Sequence, residues 1–394
     1  MRKVYLDHNA TTPVHPQVIE VMLPFMNERF GNPSSVHSLG QDTREAMEKG
    51  RETVASAFGA RKDEIVFTSG GTESDNLAIS GVAGALCKKG KHIITSKIEH
   101  HAVLATCEHL AGIGFAVTEV PCDKYGIVDP EEVRRAIRSD TILITIMHAN
   151  NEVGTIEPIE EIGEIASEKG IVFHSDAVQS FGKVDLNTSK IKANLLSVSS
   201  HKIYGPKGVG ALYVRRGTPL SPVVFGGHHE KKRRAGTENV PGIIGFAKAV
   251  EIACADLTST NRSMLALRNR LEEGIMSCMP NVRLNGHPTK RLPSTLNVSF
   301  EFVEGESLVL SLDMEGIAVS SGSACTSGSL EPSHVLLAMG VPAEAAQGSV
   351  RFSLGRDNTE ADVDYVLGVL PRIVDRLRAI SPLFKKSGAG IGGG

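Results

Sequence analysis

The sequence predicts an α/β protein in which a large, doubly wound, mainly parallel-sheet domain is joined to a smaller α+β domain. Three observations carry this prediction. The chain has 394 residues, more than the roughly 250–300 at which a single core stops growing. From about residue 60 to 215, apolar β-branched runs alternate with helical patterns, as in a parallel sheet covered on both faces. Beyond about residue 257 that rhythm gives way to longer helices and a few short strands.

Strands are expected at 64–68, 92–95, 142–147, 171–174 and 195–199, where the runs are short, apolar and bounded by turn residues. Over 158–169, Ile159, Ile162, Ile165 and Ala166 mark one helical face, Pro158 suits the first turn and Gly170 ends it. Further helices are expected near 243–256 and 260–279, with short strands near 294–300 and 349–354. The closing helix, 360–380, carries Val363, Val366, Leu367, Leu370, Ile373, Val374 and Leu377 on one stripe, with a kink expected at Pro371. The expected division is 15–257 for the large domain, and 1–14 with 258–384 for the small one. A mobile loop is expected at 320–332, and the glycine-rich tail 385–394 should be disordered.

Composition excludes several classes. Hydrophobic residues make up 41 % and charged residues 22 %, ordinary for a soluble enzyme. A net charge of −3 and the absence of Trp argue against nucleic acid and acidic membranes as partners. No run approaches the roughly 18 apolar residues of a span, and residues 1–8 break into charge too early for a signal peptide. A cytoplasmic location is expected, with Cys87, Cys107, Cys122, Cys254, Cys278 and Cys325 reduced. No CxxC pair is present and no metal site is expected.

Each of the five expected strands delivers polar groups at its carboxyl end, where open α/β sheets bind ligands. Ser69-Gly70-Gly71-Thr72 lies between a strand and a helix, with Thr72 as the expected N-cap. Such a helix N-terminus suits a phosphate, although alone it is equally a plain turn. It is neither GxxxxGK[ST] nor GxGxxG, which disfavours a nucleoside triphosphate or a dinucleotide. Asp176 at a strand end needs a partner if buried, such as a protonated pyridine nitrogen, or else it caps a helix. Lys202 follows an apolar strand, and burial would lower its pKa and leave a nucleophilic amine for a Schiff base. Phosphate cup, strand-end Asp and strand-end Lys together make a pyridoxal-phosphate set.

Further segments make the likeness specific: Leu6-Asp7-His8-Asn9-Ala10-Thr11-Thr12-Pro13, Gly71-Thr72-Glu73-Ser74-Asp75-Asn76, Glu99-His100, Asn150-Asn151-Glu152-Val153-Gly154 and His174-Ser175-Asp176-Ala177-Val178-Gln179. Ser200-His201-Lys202, Arg233-Arg234-Ala235-Gly236-Thr237-Glu238-Asn239, and the stretch from Ser320 through Cys325 to His334 continue the series in order. In this the chain resembles the cysteine desulfurases of the NifS/IscS class, NifS most closely, over all but its glycine tail. These are fold-type-I pyridoxal-phosphate transferases, aspartate-aminotransferase-like in fold.

The resemblance implies roles. Lys202 would carry pyridoxal 5'-phosphate and move the Cα proton, His100 would stack on the ring, and Asp176 would pair with its nitrogen. Gln179 and Asn151 would lie near the ring hydroxyl, Asn151 also near the substrate. Gly71, Thr72, Ser199 and His201 would hold the phosphate, with Thr237 reaching in from the partner subunit of a homodimer. Arg351 would fork onto the substrate carboxylate. Many relatives have Gly where Ser200 stands here, and no firm role falls to Asn9 or Asn32.

Cys325 decides the reaction. Its surroundings of Ser, Gly, Ala and Thr make a poor core segment and a good mobile loop. A sulfur acceptor must attack as a thiolate and then leave carrying a persulfide. The implied function is conversion of L-cysteine to L-alanine with sulfur passed to Cys325, then to an acceptor or scaffold protein for iron–sulfur cluster assembly. Selenocysteine lyase or aminotransferase chemistry on the same scaffold, or a non-catalytic docking role, are the alternatives. His228-His229-Glu230 fits no standard metal spacing, and Lys231-Lys232-Arg233-Arg234 reads as a solvated loop.

Overall fold

The computed structural model describes residues 2–321, 331–382 and 384. The chain opens with a short strand, β1 (Val4–Tyr5), and then builds a seven-stranded sheet. Its strands are β2 (Ile65–Thr68), β3 (His92–Ser96), β4 (Ala116–Val120), β5 (Thr141–Thr145), β6 (Val172–Asp176), β7 (Leu195–Ser199) and β8 (Gly210–Val214). Their spatial order is β2-β8-β7-β6-β5-β3-β4. Only β8 is reversed; it pairs antiparallel with both β2 and β7, and the other neighbours are parallel.

Successive side chains of a strand point to opposite faces, and the two faces of this sheet carry separate cores. Ile94, Ile144 and Leu196 join one core, with Phe58, Phe173 and Phe246. Their neighbours Ile93, Leu143 and Leu195 join the other, with Leu77 and Val82 of the helix Gly71–Leu86. Burial on both faces is why these strands read as continuous apolar runs. The expected strands correspond to β2, β3, β5 and β6, each shifted by one or two residues at one or both ends, and to β7, which matches at both ends. β4 and β8 escaped the sequence reading: β4 is a half-exposed edge strand, and β8 follows a Gly-Pro-Lys-Gly turn without an intervening helix.

A third core forms around the four-stranded antiparallel sheet β12-β13-β10-β9. Its strands are β9 (Val282–Asn285), β10 (Thr295–Phe300), β12 (Ser320–Ser321) and β13 (Ser349–Ser353), while β11 (Ile317–Ala318) pairs in parallel with β1. Val4 and Leu6 are buried in this core beside Leu271, Phe352 and Leu370. The helix Glu360–Ile380 runs as one element through Pro371, opened by a reciprocal cap between Thr359 and Asp362. Among the described residues no helix is long and apolar enough to cross a membrane.

One packing contact gives a stability prediction. The helix Ile159–Lys169 ends at Gly170, whose φ of 63° suits glycine. It packs so tightly that a Cβ on Gly163 would lie 1.9 Å from the Ile191 carbonyl oxygen. Gly163→Ala is therefore expected to destabilise the protein by about 2 kcal/mol. Gly368→Ala, in a helix with nothing near its Cβ, should stabilise it by up to about 1 kcal/mol. Denaturant midpoints at unchanged m-value test both.

Candidate active site

The carboxyl ends of β2, β3, β5, β6 and β7 open onto one cavity of about 430 Å³. Chain connectivity reverses there, since β3 is flanked by its successor β4 on one side and by β5 on the other. Gly71 and Thr72 line it after β2, His100 after β3, and Asn151 after β5. Asp176 and Gln179 come from β6 and its following turn, Ser199, His201 and Lys202 from β7 and its following turn, and Arg351 from β13. Two expected site residues are not in this group. Thr237 is exposed on the single chain and does not line the cavity; its segment is tied to the helix Gly71–Leu86 by Arg234, which donates to Glu73 at 2.8 Å. Cys325 lies outside the described residues.

The end of the cavity at β2 has the character of an anion cup. Thr72 is not the N-cap that the sequence reading expects: Gly70 is, with φ 155°, and Thr72 falls in the first turn. Gly70 offers no side chain to cap that turn, which leaves the opening amides of the helix for a ligand. A Cβ on Gly71 would lie 2.6 Å from Val178 Cγ2, so only glycine allows this close approach of backbone to the β6 turn.

The lining also includes buried carboxyl groups. Asp176 is 6 % exposed, and its Oδ1 accepts from the Val178 amide at 2.8 Å. Burial pushes its carboxyl up. Asp75, from the helix Gly71–Leu86, is raised further, first by burial and then by the charge of Asp176. Its nearest basic group is His174 Nε2 at 3.6 Å. That imidazole is held between Thr145 and Ser197 and pulled down to about 3 by burial, hence neutral. Asp75 Oδ1 has no hydrogen-bond partner among the described residues. Buried carboxyls with an oxygen left unsatisfied among the described residues favour a proton donor from a ligand. A pyridinium nitrogen meets that need and a phosphate suits the cup, so these residues fit pyridoxal phosphate.

His100 caps the helix His101–Gly112, its Nδ1 accepting from the Ala102 amide at 3.1 Å. The neutral ring therefore carries its hydrogen on Nε2. Burial lowers its pKa, opposed by Asp176. Lys202 Nζ donates to the carbonyls of Asn9 at 2.5 Å and Ala10 at 2.8 Å. Asn9 thus has a place that the sequence did not disclose. Its side-chain amide donates to Thr295 Oγ1 at 2.9 Å and Asn151 O at 3.2 Å. Arg351 is 3 % exposed, donating to Asn151 O at 3.0 Å and Asp7 Oδ1 at 2.9 Å. Its Nε has no partner among the described residues, and Arg351 lines the cavity, where a guanidinium suits a carboxylate. Asp7, Asp75, Glu152 and His334 also line the cavity; all stood in recognisable segments, yet only the fold brings them together.

Glu99 lies beneath His100 and gives a pH prediction. Its Oε1 accepts from Ser96 Oγ at 2.6 Å and the Met147 amide at 3.0 Å, while Oε2 is buried without a partner among the described residues. Burial pushes the carboxyl up to about 8. A carboxyl whose folded pKa exceeds its unfolded value binds more protons folded, so its contribution to stability falls as pH rises between the two. Glu99→Gln is expected to gain stability relative to the parent as pH goes from about 5 to about 8. Melting temperatures measured at both pH values check this; a constant difference would contradict it.

The chain matches the aminotransferase class-V family over residues 4–366. It is 58 % identical over 385 residues to a cysteine desulfurase IscS of Methanosarcina thermophila, covering 98 % of this chain and 95 % of the relative. A cysteine desulfurase IscS of Dictyoglomus turgidum is 55 % identical over 381 residues, with 97 % of each chain covered. Among solved structures, a NifS-like protein superposes with TM-score 0.89 at 42 % identity, over 96 % of this chain and 100 % of that one. SspA in complex with cysteine superposes with TM-score 0.80 at 39 % identity, over 91 % of this chain and 100 % of that one. The chain belongs to the aminotransferase class-V family, among its cysteine desulfurases.

Proposed function

We propose that the protein converts L-cysteine to L-alanine on pyridoxal phosphate and passes the sulfur to its own Cys325. The observation that carries this reading is that Lys202, Asp176, Asp75 and Arg351 line one cavity. Bound there, pyridoxal phosphate supplies an electron sink for the substrate's Cα–H bond.

The residues divide the remaining work. The Arg351 guanidinium binds and orients the substrate carboxylate, the bidentate geometry fixing which bond at Cα faces Lys202. Lys202 Nζ moves the Cα proton, steadied by the carbonyls of residues 9 and 10. Neutral His100 acts as a donor through Nε2–H, since its Nδ1 is occupied by the Ala102 amide. Asp176 holds positive charge at the ring nitrogen, with Asp75 keeping its own proton beside it. Gly71, Thr72, Ser199 and His201 orient the phosphate. Cys325 then attacks the substrate sulfur as a thiolate: the S–S bond forms as the Cβ–S bond breaks. The balance is L-cysteine plus a thiol giving L-alanine plus a persulfide on Cys325.

The same reading makes the active form a homodimer, with Thr237 completing the partner's phosphate site. The persulfide goes on to an acceptor or scaffold protein in iron–sulfur cluster assembly in the cytoplasm. Similarity to proteins named cysteine desulfurase IscS, and to SspA in complex with cysteine, supports the substrate and the sulfur chemistry. The test is covalent. Borohydride reduction of the yellow protein followed by peptide mass mapping should place the cofactor's mass on the peptide bearing Lys202. Labelling of another lysine, or none, would overturn the assignment.

A further inference from the structure

A second lysine, Lys183, borders the same small neighbouring cavity as Lys202. Lys183 lies in the turn after β6, four residues beyond Gln179, and is 9 % exposed. It forms no ion pair among the described residues. The charged or titratable groups that face it are Lys202 and Arg351, with His8 and His201 further round, and none brings negative charge. Its Nζ instead donates to Gln179 Oε1 at 3.2 Å and lies 3.5 Å from Asn9 Oδ1. A buried lysine with no counter-ion is costly, and a residue that merely filled this space would be apolar.

The hydrogen-bond directions show what the lysine achieves. An ammonium only donates, so both carboxamides must turn their oxygens toward Lys183. The Gln179 amide nitrogen is then left to donate to the Asn9 carbonyl at 2.9 Å. The Asn9 amide nitrogen is left to donate to Thr295 Oγ1 and Asn151 O. The Asn9 carbonyl that Gln179 grips is the one that accepts from Lys202 Nζ at 2.5 Å. Were either carboxamide to flip, an oxygen would face a carbonyl oxygen in both places. Burial pulls the Lys183 amine down to about 7. Its neutral form still carries two N–H donors for two oxygens, so the orientation holds on both sides of that pH.

We propose that Lys183 is a positioning residue for the reaction: it sets the carboxamides of Gln179 and Asn9 and, through the Asn9 carbonyl, the place of Lys202 Nζ. The inference rests on Lys202 carrying the cofactor. It goes beyond that assignment in making the reactive amine's position depend on a residue that touches neither cofactor nor substrate.

The test uses the holoenzyme with Lys183→Met, which keeps the length of the side chain and removes its donors. Lys183→Arg keeps donors, and a neighbouring cavity of about 50 Å³, partly lined by Lys183, leaves it room. Lys183→Met is expected to retain its full cofactor content but to change the ratio of the cofactor's near-ultraviolet and visible bands. Its kcat should fall about tenfold, the loss of one hydrogen bond to a charged group, with KM within about twofold. Lys183→Arg should restore the band ratio and most of the rate. An unchanged band ratio and kcat in Lys183→Met, or an arginine variant as impaired as the methionine one, would overturn the proposal. Should Lys183→Met not fold, Gln179→Leu must reproduce the altered band ratio while Lys183→Arg keeps that of the parent; a parent-like ratio in Gln179→Leu overturns it equally. Failure of the underlying assignment looks different: the unmodified protein itself would then show no band linked to Lys202.

Discussion

Lys202→Ala is expected to lower the rate of alanine formation from L-cysteine by at least about 10³-fold, since both covalent attachment and proton transfer at Cα are lost. Its Nζ donates to the carbonyls of residues 9 and 10. None of the three apolar cores includes the side chain. The variant should therefore melt within a few degrees of the parent. Pyridoxal phosphate should still enter, held by the glycine cup and the Asp176–Asp75 wall, but borohydride should no longer trap it. Absorbance before and after reduction, with alanine quantified by amino-acid analysis, reads both parts. A variant that stays yellow, reducible and active would show that another amine carries the cofactor.

Cys325→Ser should separate chemistry at Cα from transfer of sulfur. A serine hydroxyl is too weak a nucleophile toward sulfur at neutral pH, so sulfide and alanine production should fall by at least about 10²-fold. Binding of L-cysteine should persist, because Arg351 and Lys202 are unchanged. Addition of L-cysteine should thus still perturb the cofactor's visible band, and mass spectrometry should find no added sulfur on the variant. Full alanine production by Cys325→Ser would remove Cys325 from the reaction.

Both predictions concern residues legible in the sequence, and the reason is local. Asp176 and Lys202 each end an apolar run, and a run of that kind shows its polar terminus without any knowledge of the fold. Arg351 stood out only through resemblance, because its strand pairs with β10 and β12, far from the other site residues in sequence. Asn9 stood in a family-like segment without a role: its contacts reach residues 151, 183, 202 and 295, and no local pattern encodes such distances. Asp75 was hidden because a carboxylate in the first half of a helix reads as a favourable dipole partner, not as the buried neighbour of Asp176. The Gly70 cap was missed for a simpler reason. Thr is a common N-cap, and the φ of 155° that moves the cap to Gly70 is a property of the turn.

The fold shows the same division. The parallel strands other than the half-exposed edge strand β4 were visible because burial on both faces leaves them uniformly apolar. The reversal at β8 was not, since Gly210–Val214 resembles its parallel neighbours in composition and differs only in having a tight turn before it.

The most direct measurement is to incubate the holo-protein with L-cysteine and a reducing thiol and quantify alanine and sulfide in the same samples. Equal amounts of the two, rising together with time, are expected if Lys202 and Cys325 act as assigned. A keto acid product without sulfide would instead mark an aminotransferase, and neither product from a fully loaded protein would contradict desulfuration altogether.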